Sequence, residues 1–211
     1  MRYLMLLMLV AMASCSSGPK TTDLAEKLES RPKMKVVFVG GETVTQIDTE
    51  KTKKTFRQPV SEDFRMLTAP VAAGLQDFLE GYKVEQVRAL PADYKPTANE
   101  MVVGVRAAGE YNCEGEGSPF SCWLVMETLL DLSDPNAGLA VKGNPHKVAR
   151  VETPKKPVSV NLGSADSAAA KYDKLLAAVA QALPPQDVLN PLMDKTKQGM
   201  EKLAGEWKTL K

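Results

Sequence analysis

Histidine is nearly absent: the chain holds only His146, in the loop Gly143-Asn-Pro-His-Lys147 with no serine or cysteine motif beside it. A Ser-His-Asp or Cys-His arrangement would have to be built on that residue, so nucleophilic hydrolysis has no visible constellation. An excess of one charge is missing too. Lys and Arg number 27 against 26 Asp and Glu, and the local basic runs are only Lys51-Thr-Lys-Lys54 and Lys155-Lys156. A binder of phosphate backbones carries a basic excess or stripe, so nucleic acid is not an expected partner. Gly40-Gly41 lacks the spacing and the Lys-Ser/Thr pair of a phosphate loop. Two cysteines and one histidine make an incomplete zinc set, and Glu114 with Glu116 offers too few oxygens for calcium. No metal or cofactor is expected. Carboxylates are plentiful, so general acid and base work stays open but unsupported. Ser17-Gly-Pro-Lys20 matches the spacing of a penicillin-recognising nucleophile by chance, outside any folded segment.

Long apolar runs are also scarce. The one at residues 3–12 is about ten residues long, half the ~20 a helix needs to cross a bilayer. It follows Arg2 and precedes the small residues Ala13 and Ser14, the order of an export signal. The stretch Met12-Ala13-Ser14-Cys15 resembles the bacterial lipobox, with Met12 where that motif usually has leucine. The resemblance implies that Cys15 is acylated and becomes the amino terminus, residues 1–14 being the signal peptide. Each buried methylene of an attached chain contributes about 0.8 kcal/mol, so several chains together hold a protein at a membrane. By the same resemblance, Ser16 rather than aspartate after the cysteine implies the outer membrane, with the domain facing the periplasm. The expected partners are thus the membrane, through a lipid anchor, and an envelope protein.

Residues 15–33 are polar and turn-rich and form a tether, spanning roughly 20–25 Å as a flexible coil and about 60 Å fully extended. Cys113 and Cys122 are an even pair in an exported chain, the setting in which disulfides persist, and are expected to be bonded. Joining two arms of a hairpin, that bond would contribute roughly 2–3 kcal/mol in the chain-entropy model.

Met34-Lys-Val-Val-Phe-Val39 is a β-branched run bounded by Gly40-Gly41, which predicts a strand over 36–39 buried on both faces. Residues 42–65 are polar and break at Pro59, leaving a loop or an extra hairpin open. Leu67, Val71, Leu75, Phe78, Leu79 and Tyr82 have helical spacing, predicting a helix over 67–82. Strands are expected at 84–90, 101–109 and 123–132, with the cysteines stapling the last two, and edge strands at 139–141, 148–153 and 158–162. A second helix, 168–183, is capped by Ser164, Asp166 or Ser167 and ended by Pro184-Pro185. The last helix, in 184–211, carries Leu189, Leu192, Met193, Met200, Leu203, Trp207 and Leu210 on one side. That stripe either packs back onto the domain or offers Met193, Met200, Leu203 and Trp207 to a partner groove or a membrane.

The order of elements predicts an α/β (α+β) fold: a small mixed sheet of four to six strands with two packed helices over 34–183, plus a C-terminal amphipathic helix. With Leu75-Gln-Asp-Phe-Leu-Glu-Gly-Tyr82 leading into a strand, and Leu129-Leu-Asp-Leu-Ser-Asp-Pro-Asn-Ala-Gly138, it resembles the periplasmic fold shared by the TolB amino-terminal domain, CsgG and LpoB. That resemblance implies an adaptor or assembly factor rather than an enzyme. Residues 42–65 are too polar for the membrane-spanning strands of a CsgG-like pore, and the tether is short for LpoB-like reach across the periplasm. The expectation is a lipid-anchored, non-enzymatic protein-binding lipoprotein. The alternatives are a lipid or small-ligand-binding auxiliary of an envelope transport system and an unrecognised hydrolase.

Overall fold

The computed structural model describes residues 33–49, 52–79, 81–115, 118–132, 145–161, 163 and 166–209. The fold is α/β, built on one seven-stranded mixed sheet in which the order β2-β1-β4-β5-β6 forms the main path. Its axis is β1 (Lys33–Thr49), a strand of 17 residues.

The first half of β1 is the β-branched run that the sequence singles out. Met34 and Val36 turn to one face and are buried in the main core, while Val37 is buried on the opposite face. Val39, expected to be buried, is 50% exposed. The strand does not end at Gly40-Gly41. Its pairing register shifts between Phe38 and Gly40, where Gly40 takes a φ of +104°, open to glycine at little cost. Gly41 is required for a different reason: a Cβ there would lie 2.4 Å from the Ala107 carbonyl oxygen of the neighbouring strand.

At this bulge β1 changes neighbours along one edge. Before it, β1 pairs in parallel with β3 (Lys83–Val87); after it, antiparallel with β2 (Thr52–Pro59). Residues 42–65 are therefore the extra hairpin for their first part, followed by a 3-10 turn, Glu62–Leu67. Along the other edge, β4 (Glu100–Glu114) pairs in parallel with β1 from Lys33 to Thr45. β5 (Phe120–Leu132) returns antiparallel to β4, and its far edge is shared by β6 (His146–Glu152) and β7 (Lys156–Val158). The edge strand expected at 139–141 lies outside the described residues.

Three helices cover one face. The helix expected over 67–82 is α1 (Thr68–Phe78); beyond it Gly81, with φ +81°, turns the chain into β3. α2 (Ala168–Ala182) is capped by Ser167, whose hydroxyl accepts from the Ala170 N–H. A 3-10 turn starting at Pro185 leads into α3 (Leu189–Thr209). Phe64, Leu67, Val71 and Leu75 meet Val36, Val103, Val105, Leu124, Met126 and Leu130 of the sheet, and Val179, Leu183, Leu192 and Met200 close the same core. Fully burying each such side chain contributes about 1.5–3 kcal/mol. The Tyr111 hydroxyl, buried under this layer, donates to the Leu183 carbonyl at 3.0 Å, and burial pushes its pKa up to about 12.

α3 is held by more than apolar contact. A Cβ on Gly74 of α1 would lie 2.5 Å from the Met200 Cβ, and one on Gly199 would lie 2.1 Å from the Val148 carbonyl oxygen of β6. Thr196 donates to the Leu192 carbonyl at 2.7 Å, which leaves the Thr128 hydroxyl of β5 to donate to Thr196 Oγ1 at 2.8 Å. This buried pair fixes how the helix sits on the strand, because sliding it would strand a hydroxyl without a partner.

Candidate functional site: the face of the sheet opposite the helices

Of the two alternatives for the terminal helix, the structure takes the first. Met200 and Leu203 are buried and Met193 packs half-buried against the core. Met200 and Leu203 therefore offer no free surface to a partner and Met193 only part of one, because the stripe that would dock elsewhere is mainly the inward face of α3. The side chain of Trp207 lies outside the described residues, as does Cys15, the expected lipid-attachment site. Cys113 and Cys122 are disulfide-bonded and stand directly opposite one another in the β4–β5 ladder. The cation of Lys155 lies 4.4 Å over the neighbouring Trp123 ring and 2.6 Å from Glu114, closing that end of the hairpin.

The opposite face of the sheet presents the other set of alternating side chains. Near the start of β1, Lys35, Tyr94 and Glu100 form a half-buried cluster beside the buried Val37 and Val102. Lys35 donates to the Tyr94 hydroxyl at 2.9 Å and lies 3.2 Å from Glu100, while Tyr94 donates to Glu100. Burial raises the Glu100 pKa, but the hydrogen bonds from Tyr94 and Lys35 outweigh it and leave the carboxyl below its ordinary range. The hydrogen bond with Tyr94 carries Lys35 above its own, and burial does the same for Tyr94. All three shifts move away from neutrality, so the cluster holds fixed charge and has no group poised to exchange a proton near pH 7.

Midway along the face, Arg106 lies 2.6 Å from Asp131, whose carboxylate is buried. Asp131 Oδ2 makes no hydrogen bond of good geometry, so the guanidinium is its main compensation.

Beyond Arg106 the face opens into a groove of about 400 Å³, lined on four strands by Glu42, Val44, Arg57, Glu110, Val125 and Glu127 among others. Ladder register explains the arrangement. One row across the sheet reads Glu42, Ala108, Glu127, Arg150; the next reads Arg57, Val44, Glu110, Val125, Glu152. Most acids here have cations: Arg57 bonds Glu42, Lys147 lies 2.5 Å from Glu127, and Arg150 lies 3.8 Å from Glu127 and 3.4 Å from Glu152. Glu110 differs. Its carboxylate stands between Val44 and Val125 with no ion pair among the described residues.

None of these groove residues is among those singled out from sequence. Alternation along β4 sets Arg106, Ala108 and Glu110 on the face opposite the core, but which polar residues become cross-strand neighbours depends on register. Among the described residues, no group of three or more His, Cys, Asp or Glu could hold a metal ion, and no helix is long and apolar enough to cross a membrane.

No protein-family model and no curated protein matches the chain. Solved structures give distant likenesses. One is a Helicobacter pylori protein described as a homolog of neuraminyllactose-binding hemagglutinin: 15% identity, TM-score 0.32, covering 84% of this chain and 90% of that one. Another is protein XCC0632 from Xanthomonas campestris, of family model DUF330: 12% identity, TM-score 0.20, covering 85% and 88%.

Proposed function

We propose that this chain is a lipoprotein anchored through acylated Cys15 at the outer membrane, where it acts as a non-enzymatic protein-binding or assembly factor of the cell envelope. The observation that carries the reading is the asymmetry of the sheet. Three helices close one face into a core, while the other keeps an open, polar groove on rigid strands, the form of a docking surface more than of a reaction chamber. The lipobox-like Met12-Ala13-Ser14-Cys15 supplies the anchor, and Cys113–Cys122 suits an oxidising compartment.

The test is affinity purification of the membrane-derived protein after in-cell crosslinking, with mass spectrometry of both the partners and Cys15. An acylated Cys15 with one dominant envelope partner is the expected result. An acylated protein that retains a lipid and no partner would replace binding of protein by binding of a small ligand for a transport system. An unmodified Cys15 would remove the anchor.

A further inference from the structure

The geometry points to the groove around Glu110 as the docking site for an extended segment of a partner protein that carries one basic side chain, lysine or arginine, flanked by small apolar ones. This rests on the protein-binding reading above and names its surface.

Charge decides the occupant. On this part of the face Glu42, Glu127 and Glu152 are each neutralised by Arg57, Lys147 or Arg150. Glu110 alone among the groove carboxylates lacks a cation among the described residues, and its cross-strand neighbours, Val44 and Val125, cannot supply one. A partner ammonium or guanidinium reaching Glu110 would complete the pattern, and its small apolar flanks would lie over the half-buried Val44 and Ala108, Val125 being buried already. An acidic segment would meet Glu110 with like charge. A second copy laid face to face would bring Glu110 toward another Glu110 and is disfavoured for the same reason.

Shape agrees. The volume of about 400 Å³ falls in the range of ligand clefts, roughly 300–1,000 Å³. Ala108 on β4 keeps the floor low between Glu42 and Glu127. The groove also lies on the half of β1 beyond the bulge, from Glu42 onward, whereas the chain enters the sheet at Lys33. At about 3.3 Å per residue that separates it from the point of entry by roughly 30 Å.

The experiment places a photo-crosslinking residue at Gln46, which lines the groove, or at the exposed Lys197 of α3, in the full-length protein in its own cells. The expected product joins Gln46 to an envelope protein, at a segment containing lysine or arginine. Its yield falls about tenfold with Glu110→Lys and about threefold with Glu110→Gln. Glu110 is exposed on its strand, so both variants should fold, and an unchanged melting temperature with an intact disulfide verifies it. A product at Lys197 and not at Gln46, a product at Gln46 indifferent to Glu110→Lys, or a second copy of this chain at Gln46 would overturn the groove while leaving the binding reading intact. No product at either position would overturn both.

Discussion

The two faces of one sheet are made from the same strands and meet opposite fates. On β4, Val103, Val105 and Ala107 point under the helices, while Arg106, Ala108 and Glu110 point the other way. One face is apolar and closed by helices; the other is laced with ion pairs, buried around Val37, Val102 and Asp131 and open at the groove. The difference teaches that the stability of this fold and the partner recognition proposed for it fall to alternate residues of the same backbone. Around the groove, away from the buried Asp131, a substitution one position along a strand should therefore move one property and spare the other.

The largest effect is expected on the covered face. Leu192→Ala removes a fully buried side chain where α3 meets the sheet and should cost about 3 kcal/mol, read as a lower urea midpoint at unchanged slope. A loss below about 1 kcal/mol would mean that α3 is not part of the core. The midway ion pair tests the open face. Arg106→Met abandons the buried Asp131 carboxylate and should cost about 2 kcal/mol, whereas Asp131→Asn leaves a half-exposed guanidinium that water can solvate and should cost less than half as much. Equal losses would show that Asp131 is not desolvated.

A smaller effect comes from the hydroxyl pair between α3 and β5. Thr196→Val takes away the acceptor of Thr128 and should cost about 1.5 kcal/mol; Thr128→Val leaves Thr196 its bond to Leu192 and should cost about 0.5. In the double variant the losses should fall short of additive, as a double-mutant cycle would record.

Acid sharpens the comparison at the Lys35–Tyr94–Glu100 cluster. A carboxyl depressed in the folded state adds stability above the ordinary glutamate pKa of 4.5, and that contribution is lost as pH falls through the lower folded value. Melting temperatures of Glu100→Gln should therefore fall less steeply than those of the parent on acidification from about pH 7 to about pH 3. Parallel curves would mean that the cluster exerts no pull on the carboxyl. The smallest effect is expected at the exposed Val39, where Val39→Thr should change stability by no more than about 0.5 kcal/mol in the same urea titration.

Much of the fold was legible in local chemistry. The helix at 168–183 shows itself by spacing, a serine cap and a double proline. The hairpin at 101–109 and 123–132 shows itself by alternation, although pairing continues farther, to Glu114 and back from Ser121. Gly40-Gly41 misled because a glycine pair that ends a strand and one that bulges it obey the same backbone rule. Only the presence of β2 and β4 beyond the pair extends β1 to Thr49. The sheet also exceeds the four to six strands expected, having seven, since residues 52–59 are too polar to announce a strand whose partner is β1.

The terminal stripe and the groove mark where sequence stops. Met193, Met200 and Leu203 were visible as an apolar face, but whether such a face turns inward is decided by what is complementary to it. Here Gly74 and Gly199 let α3 approach closely, and Thr128 matches Thr196. The apolar run ahead of Cys15, the cysteine pair, the absence of one-signed charge and the alternation along β4 are properties of the chain alone, because they depend on composition and on neighbours in sequence. Which carboxylates found cations and which did not was decided by tertiary structure, because Glu42, Glu110 and Glu127 become neighbours only when register lays four strands side by side.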